Sequence, residues 1–259
     1  YDPWMVDISV FRCPSDPGIG LPSFGRTNYA ACLGDAIEGL DEGQWRYDAA
    51  NKQWAPSGEA TMMATGRGMF VPRAVTRFSD VTDGLSNTIM LGEIATDLGD
   101  LDTRTAVSMN NGWAGGVLDD VQICRQHIDP QRPRFWDRAT ATLTGNRAQG
   151  RGFRWADAMP LMTGFNTTLP PNSVLCFGGD STTVGTLTPS SRHQGGTHIA
   201  MGDGAVVFIT DSIEWGIAQG TVTESGTDEY SPGSPSPFGL WGAIGTRNQG
   251  EIIDESLNQ

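Results

Sequence analysis

Four cysteines, three histidines and thirty carboxylates are the residues of this chain best suited to chemistry. The cysteines are Cys13, Cys32, Cys124 and Cys176, and no two form a C-x-x-C, so a zinc ribbon or thioredoxin-like motif is not written here. Four cysteines allow three pairings. An even count in a Gly-rich acidic chain fits an exported protein with two disulfides. The favoured pairing is Cys13 with Cys32 and Cys124 with Cys176, because each pair falls in one half of the chain. Four buried free thiols are the alternative.

Of the histidines, His127 lies in an Arg-rich stretch, while His193 and His198 flank Gly195-Gly196. Nine residues separate His193 from Asp203-Gly204. Two readings of this motif compete. As chemistry, His193 and Asp203 form an acid–base or metal pair. As architecture, which we prefer, Asp203 supports a turn, Gly204 takes positive φ and His193 satisfies a buried carbonyl. Calcium wants six to eight oxygens. Asp119-Asp120 and Asp180-Ser181 offer carboxylates in turn-like surroundings, without the spacing of an EF-hand loop. A hydrolase is third in rank. The chain has no G-x-S-x-G elbow and no H-E-x-x-H, Ser191 beside His193 lacks a third partner, and Gly66-Arg67-Gly68 is too short for a phosphate fingerprint. No catalytic residue and no cofactor other than calcium is expected.

Binding chemistry is carried by aromatic and basic residues. Trp45, Tyr47 and Trp54 fall in a polar, Gly-rich stretch, and exposed rings of this kind stack on sugars or on partner proteins. Residues 125–154 hold seven of the sixteen Arg, and the chain has a single Lys, Lys52. Arg132, Arg134 and Arg138, with Trp45, Trp54 and Trp136, form the expected contact surface. It would meet acidic surfaces of further copies head to tail, or acidic polysaccharide. The plainer alternatives are aromatics that plug loops onto a sheet and a solvated Arg loop.

The elements that must position these groups are mostly strands. Short runs rich in Val, Ile, Thr and Phe, bounded by Gly, Asp, Asn or Pro, predict a mainly antiparallel β protein. Strands are expected at Val6 to Arg12, Thr27 to Leu33, Met69 to Val71 and Thr88 to Ile94, with residues 34–68 loop-like. Another is expected around Trp113, Val117 and Leu118. Residues 197–210 predict a hairpin turning at Gly202-Asp203-Gly204. Asp211-Ser212-Ile213-Glu214 reads as a capping-box start to a short helix, with Ile213, Trp215 and Ile217 on its apolar side and Gly220 at its end. Thr223 to Pro237 reads as an acidic loop before a packed segment at 237–241. The length fits one domain over 1–259, with a division at 96/97 as the alternative.

Composition narrows the function classes. A net charge of -13 argues against nucleic-acid binding, and no apolar run approaches the roughly 20 residues of a spanning helix. The 34 Gly and 15 Pro show no three-residue period, and eight Trp with ten Phe argue against disorder.

Several short segments, taken in order, resemble one family. They are Phe11-Arg12-Cys13-Pro14-Ser15-Asp16-Pro17, Thr27-Asn28-Tyr29, Asp83-Gly84-Leu85-Ser86-Asn87-Thr88 with Gly92-Glu93, Leu169-Pro170-Pro171-Asn172-Ser173, the His193 to Gly204 motif and residues 239–247. The family is the domain-of-unknown-function 1559 family abundant in planctomycete bacteria, whose members look like type IV pilins or pseudopilins. The resemblance implies an α+β, mainly antiparallel pilin-like head with long Gly/Pro-rich loops and few short helices. It also implies a structural protein exported to the cell surface, extracellular space or periplasm. Such a protein would self-associate or meet other pilin-like surface proteins in a fibre or complex. A polysaccharide-binding module is the runner-up. The analogy also raises the expectation of calcium. The family's hydrophobic N-terminal helix is absent from this sequence, which starts Tyr1-Asp2-Pro3-Trp4; the expectation is that it was removed or is not part of this chain.

Overall fold

The computed structural model describes residues 2–56, 58–216, 219–251 and 253. Its strands and α-helices are short: β1 (Tyr29–Cys32), β2 (Trp45–Asp48), β3 (Gln53–Pro56), α1 (Glu59–Thr65), β4 (Ile89–Glu93), α2 (Pro160–Thr163), β5 (Gly164–Phe165), β6 (Cys176–Phe177), β7 (Gly185–Thr186), β8 (Gly196–Met201), β9 (Val206–Thr210) and α3 (Gly239–Ala243). The fold is α+β with mainly antiparallel pairing. The main sheet has the order β5-β1-β4-β8-β9, and β2-β3 and β6-β7 form two-stranded ribbons. In the main sheet β5 runs parallel to β1, and the other neighbours are antiparallel.

The sheet is legible in its residues. Asp203 Oδ1 accepts the Ala205 N–H at 2.9 Å and Gly204 has φ +90°, so the Asp-Gly turn closes β8 onto β9. Ala30, Cys32, Ile89, Phe165, Ile199, Met201 and Ile209 share a buried cluster with Trp241 and Ile244 from the α3 region. Gly92 is required at the sheet centre: a Cβ there would lie 2.9 Å from the Phe165 ring. Trp241 donates its indole N–H to the Leu169 carbonyl at 2.8 Å, which fixes α3 over the strands.

A second cluster surrounds the Cys124–Cys176 disulfide and includes Trp136, Leu169 and Phe238. Cys13 and Cys32 are free thiols, so the expected Cys13–Cys32 bridge is not formed. The reason is directional. Cys32 is buried on β1 with Sγ 3.8 Å from the Gly245 carbonyl, whereas Cys13 Sγ lies 3.6 Å from His193 Nε2.

Several expected elements differ. Residues 6–12 form a 3₁₀ turn at Ser9–Phe11 instead of a strand. The stretch 34–68 contains the β2–β3 ribbon and α1. Residues 69–71 lie outside the strands, though Phe70 N–H still bonds the Cys32 carbonyl at 3.1 Å. Trp113–Val117 is an irregular turn with Gly115 at φ +76°. The helix expected from Asp211 is absent among the described residues, and Ile217 lies outside them. Glu214, placed in a capping box by its spacing, instead accepts the Leu240 N–H at 2.7 Å, at the start of α3. The unpaired N–H groups at the start of another helix of the same chain thus take the carboxylate that a local cap would use.

The disulfide closes a separation of 52 residues within a buried cluster. Replacing both Cys124 and Cys176 with Ala is expected to cost about 4 kcal/mol on chain-entropy grounds. Urea unfolding of oxidised wild type against the double variant measures it.

Candidate functional site

The site begins with a buried carboxylate. Asp16 ends the Cys13-Pro14-Ser15-Asp16 turn, where its N–H bonds the Cys13 carbonyl at 3.0 Å. Its Oδ1 accepts the Gly18 N–H at 2.9 Å and the Thr96 hydroxyl at 2.8 Å. Its Oδ2 accepts the Thr96 N–H at 2.7 Å and the Asn28 amide at 2.9 Å. Arg12 adds an ion pair at 3.5 Å. Burial pushes the Asp16 carboxyl upward, but the Thr96 and Gly18 N–H groups, the Thr96 hydroxyl and the Asn28 amide together hold it below its ordinary value. Asn28 then spans the junction: its amide also donates to the Ile94 carbonyl at 2.9 Å, and its Oδ1 accepts the Cys13 N–H at 3.0 Å. Cys13 is thereby held over the end of β4.

Three further segments bring partners to Cys13. Glu93 closes β4, opposite Tyr29 in the β1 register, and is buried. Burial, and after it the charges of Cys13 and Glu93, raise the Tyr29 phenol above its ordinary value. His193 lies on the loop before β8 and its Nε2 is 3.3 Å from Glu93 Oε1. His198, on β8, directs both its backbone N–H and its Nδ1 to Glu93 Oε2, at 2.9 Å and 3.0 Å. The two imidazoles meet edge to face with centroids 5.0 Å apart, and Phe208 of β9 packs on His198 at the same distance.

The loop carrying His193 is clamped from below. Asp102 accepts two guanidinium bonds from Arg104, at 2.9 Å and 2.6 Å. Arg104 in turn donates to the Ser191 carbonyl at 3.0 Å. Arg192 donates to the Thr96 carbonyl at 3.0 Å, and Ser191 Oγ accepts the His193 N–H at 3.0 Å. Nearly every polar contact at the base of this loop is therefore to a fixed partner.

Chemically, Cys13, His193 and Glu93 have the residue types of a nucleophilic triad but not its wiring. A triad places the nucleophile on one ring nitrogen and the orienting carboxylate on the other. Here thiol and carboxylate both face His193 Nε2. The ring cannot pass a proton between opposite nitrogens, so the arrangement is a cluster of convergent donor atoms. Among the described residues, Cys13, Glu93 and His193 are the group of His, Cys, Asp or Glu whose donor atoms all fall within 4.8 Å of one another.

The residues singled out by sequence are distributed differently. His193 and Asp203 stand at opposite ends of β8 and do not pair; Asp203 and Gly204 serve the hairpin turn, while His193 faces Glu93 rather than a carbonyl. Asp119, Asp120 and Asp180 are not brought into one three-carboxylate site. Each bonds its own turn: Asp119 accepts from Gly115 N–H, Asp120 from Gln122 N–H at 2.9 Å, and Asp180 from Thr182 N–H at 2.8 Å. Trp136 is fully buried, donates to the Ala106 carbonyl at 2.7 Å and leaves the expected contact surface. Arg132, Arg134 and Arg138 are exposed, but Arg151 of the same island is buried, donating to the Pro160 and Leu161 carbonyls at 3.0 Å and 2.8 Å. Trp45 and Trp54 are exposed on the β2–β3 ribbon.

Sequence reasoning missed Glu93 and misassigned Cys13. The available signal was the set of resembling segments: Cys13 and Asp16, Asn28 and Tyr29, Glu93, and His193 come from four of them and meet here. Compared with known proteins, residues 1–216 match a family model described as a protein of unknown function (DUF1559). No curated protein and no solved structure matches the chain.

Asp16 makes the docking of the first 28 residues dependent on its charge. Its folded pKa lies below the unfolded value of about 3.9, so its contribution is complete above that pH and is lost as pH falls through the depressed folded value. Acid titration is expected to release Trp155, which bonds the Val6 carbonyl at 3.0 Å, before global unfolding. Fluorescence of wild type against Asp16→Asn measures this step, which the variant lacks. Asp16→Ala is expected to cost about 3 kcal/mol in urea unfolding, because buried N–H and hydroxyl donors lose their acceptor.

Proposed function

Because the chain belongs to the DUF1559 family, we propose that it is an exported, non-enzymatic surface protein. In this reading it is the globular head of a pilin-like or pseudopilin-like subunit that assembles with further copies of itself in a fibre or surface complex. The carrying observation is an apolar strip. Within residues 4–24, Trp4, Met5, Val6, Val10, Ile19, Leu21 and Phe24 are all exposed, Ile19 and Leu21 to 81% and 80%. So many exposed apolar side chains on one segment, with Ile19 and Leu21 together at one cleft, support a protein–protein contact.

Charge favours a second copy as the occupant. Ile19 and Leu21 line a cleft of about 880 Å³ together with Arg138 and Arg147. A chain of net charge -13 offers acidic surface to such a cleft. A cleft that takes acidic surface from elsewhere on a second copy makes a heterologous contact, which runs on into a filament where its rotation does not close into a ring. The disulfide fits an oxidising compartment outside the cytosol. No described helix is long and apolar enough to cross a membrane. The wiring of His193, with both partners on one nitrogen, supports a non-enzymatic reading.

The second reading, polysaccharide binding, is favoured by the β2–β3 ribbon. Trp45 and Tyr47 alternate onto one face, and Trp54 lies opposite Tyr47 in register, with ring centroids 5.6 Å apart. Three exposed rings on one face make a stacking platform, and Arg73 approaches Trp54 at 5.8 Å.

Sedimentation velocity over a concentration series, with electron microscopy of the concentrated sample, tests the first reading. Ile19→Asp with Leu21→Asp is expected to weaken self-association about tenfold or more without unfolding, since both side chains are in solvent. Assembly identical to wild type removes the strip as the interface. Glycan-array binding abolished by Tyr47→Ala and Trp54→Ala, with self-association intact, would establish the second reading instead.

A further inference from the structure

We propose that Cys13, Glu93 and His193 bind a divalent transition-metal ion, with zinc the best match, and that the ion staples the N-terminal segment to the main sheet. The inference does not rest on the assembly reading, because its ligands are argued from their own geometry.

Distances carry it first. In a tetrahedral zinc site with Zn–S of about 2.3 Å and Zn–N or Zn–O of about 2.0–2.2 Å, neighbouring donors lie about 3.6 Å apart for S and N and about 3.4 Å apart for N and O. Cys13 Sγ to His193 Nε2 is 3.6 Å and His193 Nε2 to Glu93 Oε1 is 3.3 Å. The remaining edge, Cys13 to Glu93, is within 4.8 Å. The same separations fit direct hydrogen bonding poorly. One imidazole nitrogen has either a single proton or a single lone pair, so it cannot satisfy both a thiol and a carboxylate. One cation among the three satisfies all of them.

The donors are also oriented. His198 holds Glu93 Oε2 through two N–H groups, which leaves Oε1 free to face His193. The Cys13 backbone is fixed by Asn28, and the His193 backbone by Ser191. Outer partners of this kind set the direction of metal ligands. The donor set selects the metal: a thiolate and an imidazole favour zinc over the hard, all-oxygen preference of calcium or magnesium. His193 is 29% exposed in its side chain, so the fourth position opens to solvent and would take water.

The three ligands come from the segment before β1, from β4 and from the loop before β8. An ion there cross-links parts of the chain that hydrogen bonds at Asp16 and Asp102 already bring near. Binding therefore draws the segment carrying the apolar strip against the sheet.

The test uses the full chain, tag-free and kept reduced at Cys13 under conditions that leave the buried disulfide intact. Calorimetry with zinc chloride is expected to give one ion per chain, and cobalt(II) to give tetrahedral d–d bands with a thiolate-to-metal charge-transfer band. Cys13→Ser and His193→Ala, each confirmed folded by circular dichroism, are expected to lose about 100-fold or more in affinity, and His198→Ala about tenfold, the range seen for outer partners. His127→Ala, far from the cluster in sequence and absent from it, retains wild-type binding. A measurement that needs no variant is alkylation of Cys13, which zinc is expected to slow while calcium does not; Cys32 is buried and does not compete. The proposal is overturned by no zinc binding to wild type, by binding unaffected in both Cys13→Ser and His193→Ala, or by a cobalt complex lacking the charge-transfer band with Cys13 alkylation unchanged.

Discussion

A single buried carboxylate sets the geometry on which the rest of this molecule is arranged. Asp16 accepts from Gly18, Asn28 and Thr96 and pairs with Arg12, so one side chain joins the N-terminal segment, the entry to β1 and the exit of β4. A buried charge of this kind is costly unless its lone pairs are filled, and here they are filled by neutral donors from three places in the chain. Only one mutual arrangement of those places provides them all. Cys13, three residues earlier, has little freedom once Asp16 is seated, because its own N–H and carbonyl are engaged by Asn28 and Asp16.

The same logic explains the basic residues. The chain has sixteen Arg and a single Lys, and several of the Arg fill places that a Lys could not. Arg26, Arg67, Arg104 and Arg151 are all buried, and their guanidinium groups reach backbone carbonyls or a carboxylate fork. Arg67 pairs with the buried Asp35 at 2.8 Å, and Arg104 grips both oxygens of Asp102. A Lys carries one point charge on a flexible stem and cannot bridge several acceptors in a plane. In a fold with so little regular secondary structure, loop carbonyls need such donors, and planar Arg groups provide them.

What was legible in the sequence follows from how local the cause was. The β8–β9 hairpin is set by Asp203-Gly204 and by alternation on either side, all within fifteen residues, and its form was readable. β1 and β4 were readable for the same reason. The β2–β3 ribbon was not: Trp45, Tyr47 and Trp54 look like loop aromatics because both faces of the ribbon lie partly in solvent, so no core-facing alternation marks it. Glu214 shows the converse error, a local capping signal overridden by a helix 26 residues away. Cys13 was placed in a disulfide by counting and by proximity in sequence, two arguments blind to the direction in which Cys32 points.

The cluster around His193 was out of reach of any spacing rule, since Cys13 and His193 are 180 residues apart. Its members were nonetheless all within short segments that looked individually weak. The Cys-Pro-Ser-Asp turn supplies both Cys13 and the Asp16 anchor; Thr27-Asn28-Tyr29 supplies the bridge; Gly92-Glu93 supplies both the small residue that lets Phe165 pack and the carboxylate beside it. The segment before β8 supplies His193, and β8 itself supplies His198 to orient the acid. A motif read as His with Asp-Gly thus divides into two jobs at the two ends of one strand. The Asp-Gly end closes a turn, and the His end faces a thiol and a carboxylate across a junction of three chain segments. Because that junction also fixes the segment from which Ile19 and Leu21 project, the chemistry at His193 and the apolar surface are mechanically linked through Asp16 and Gly18.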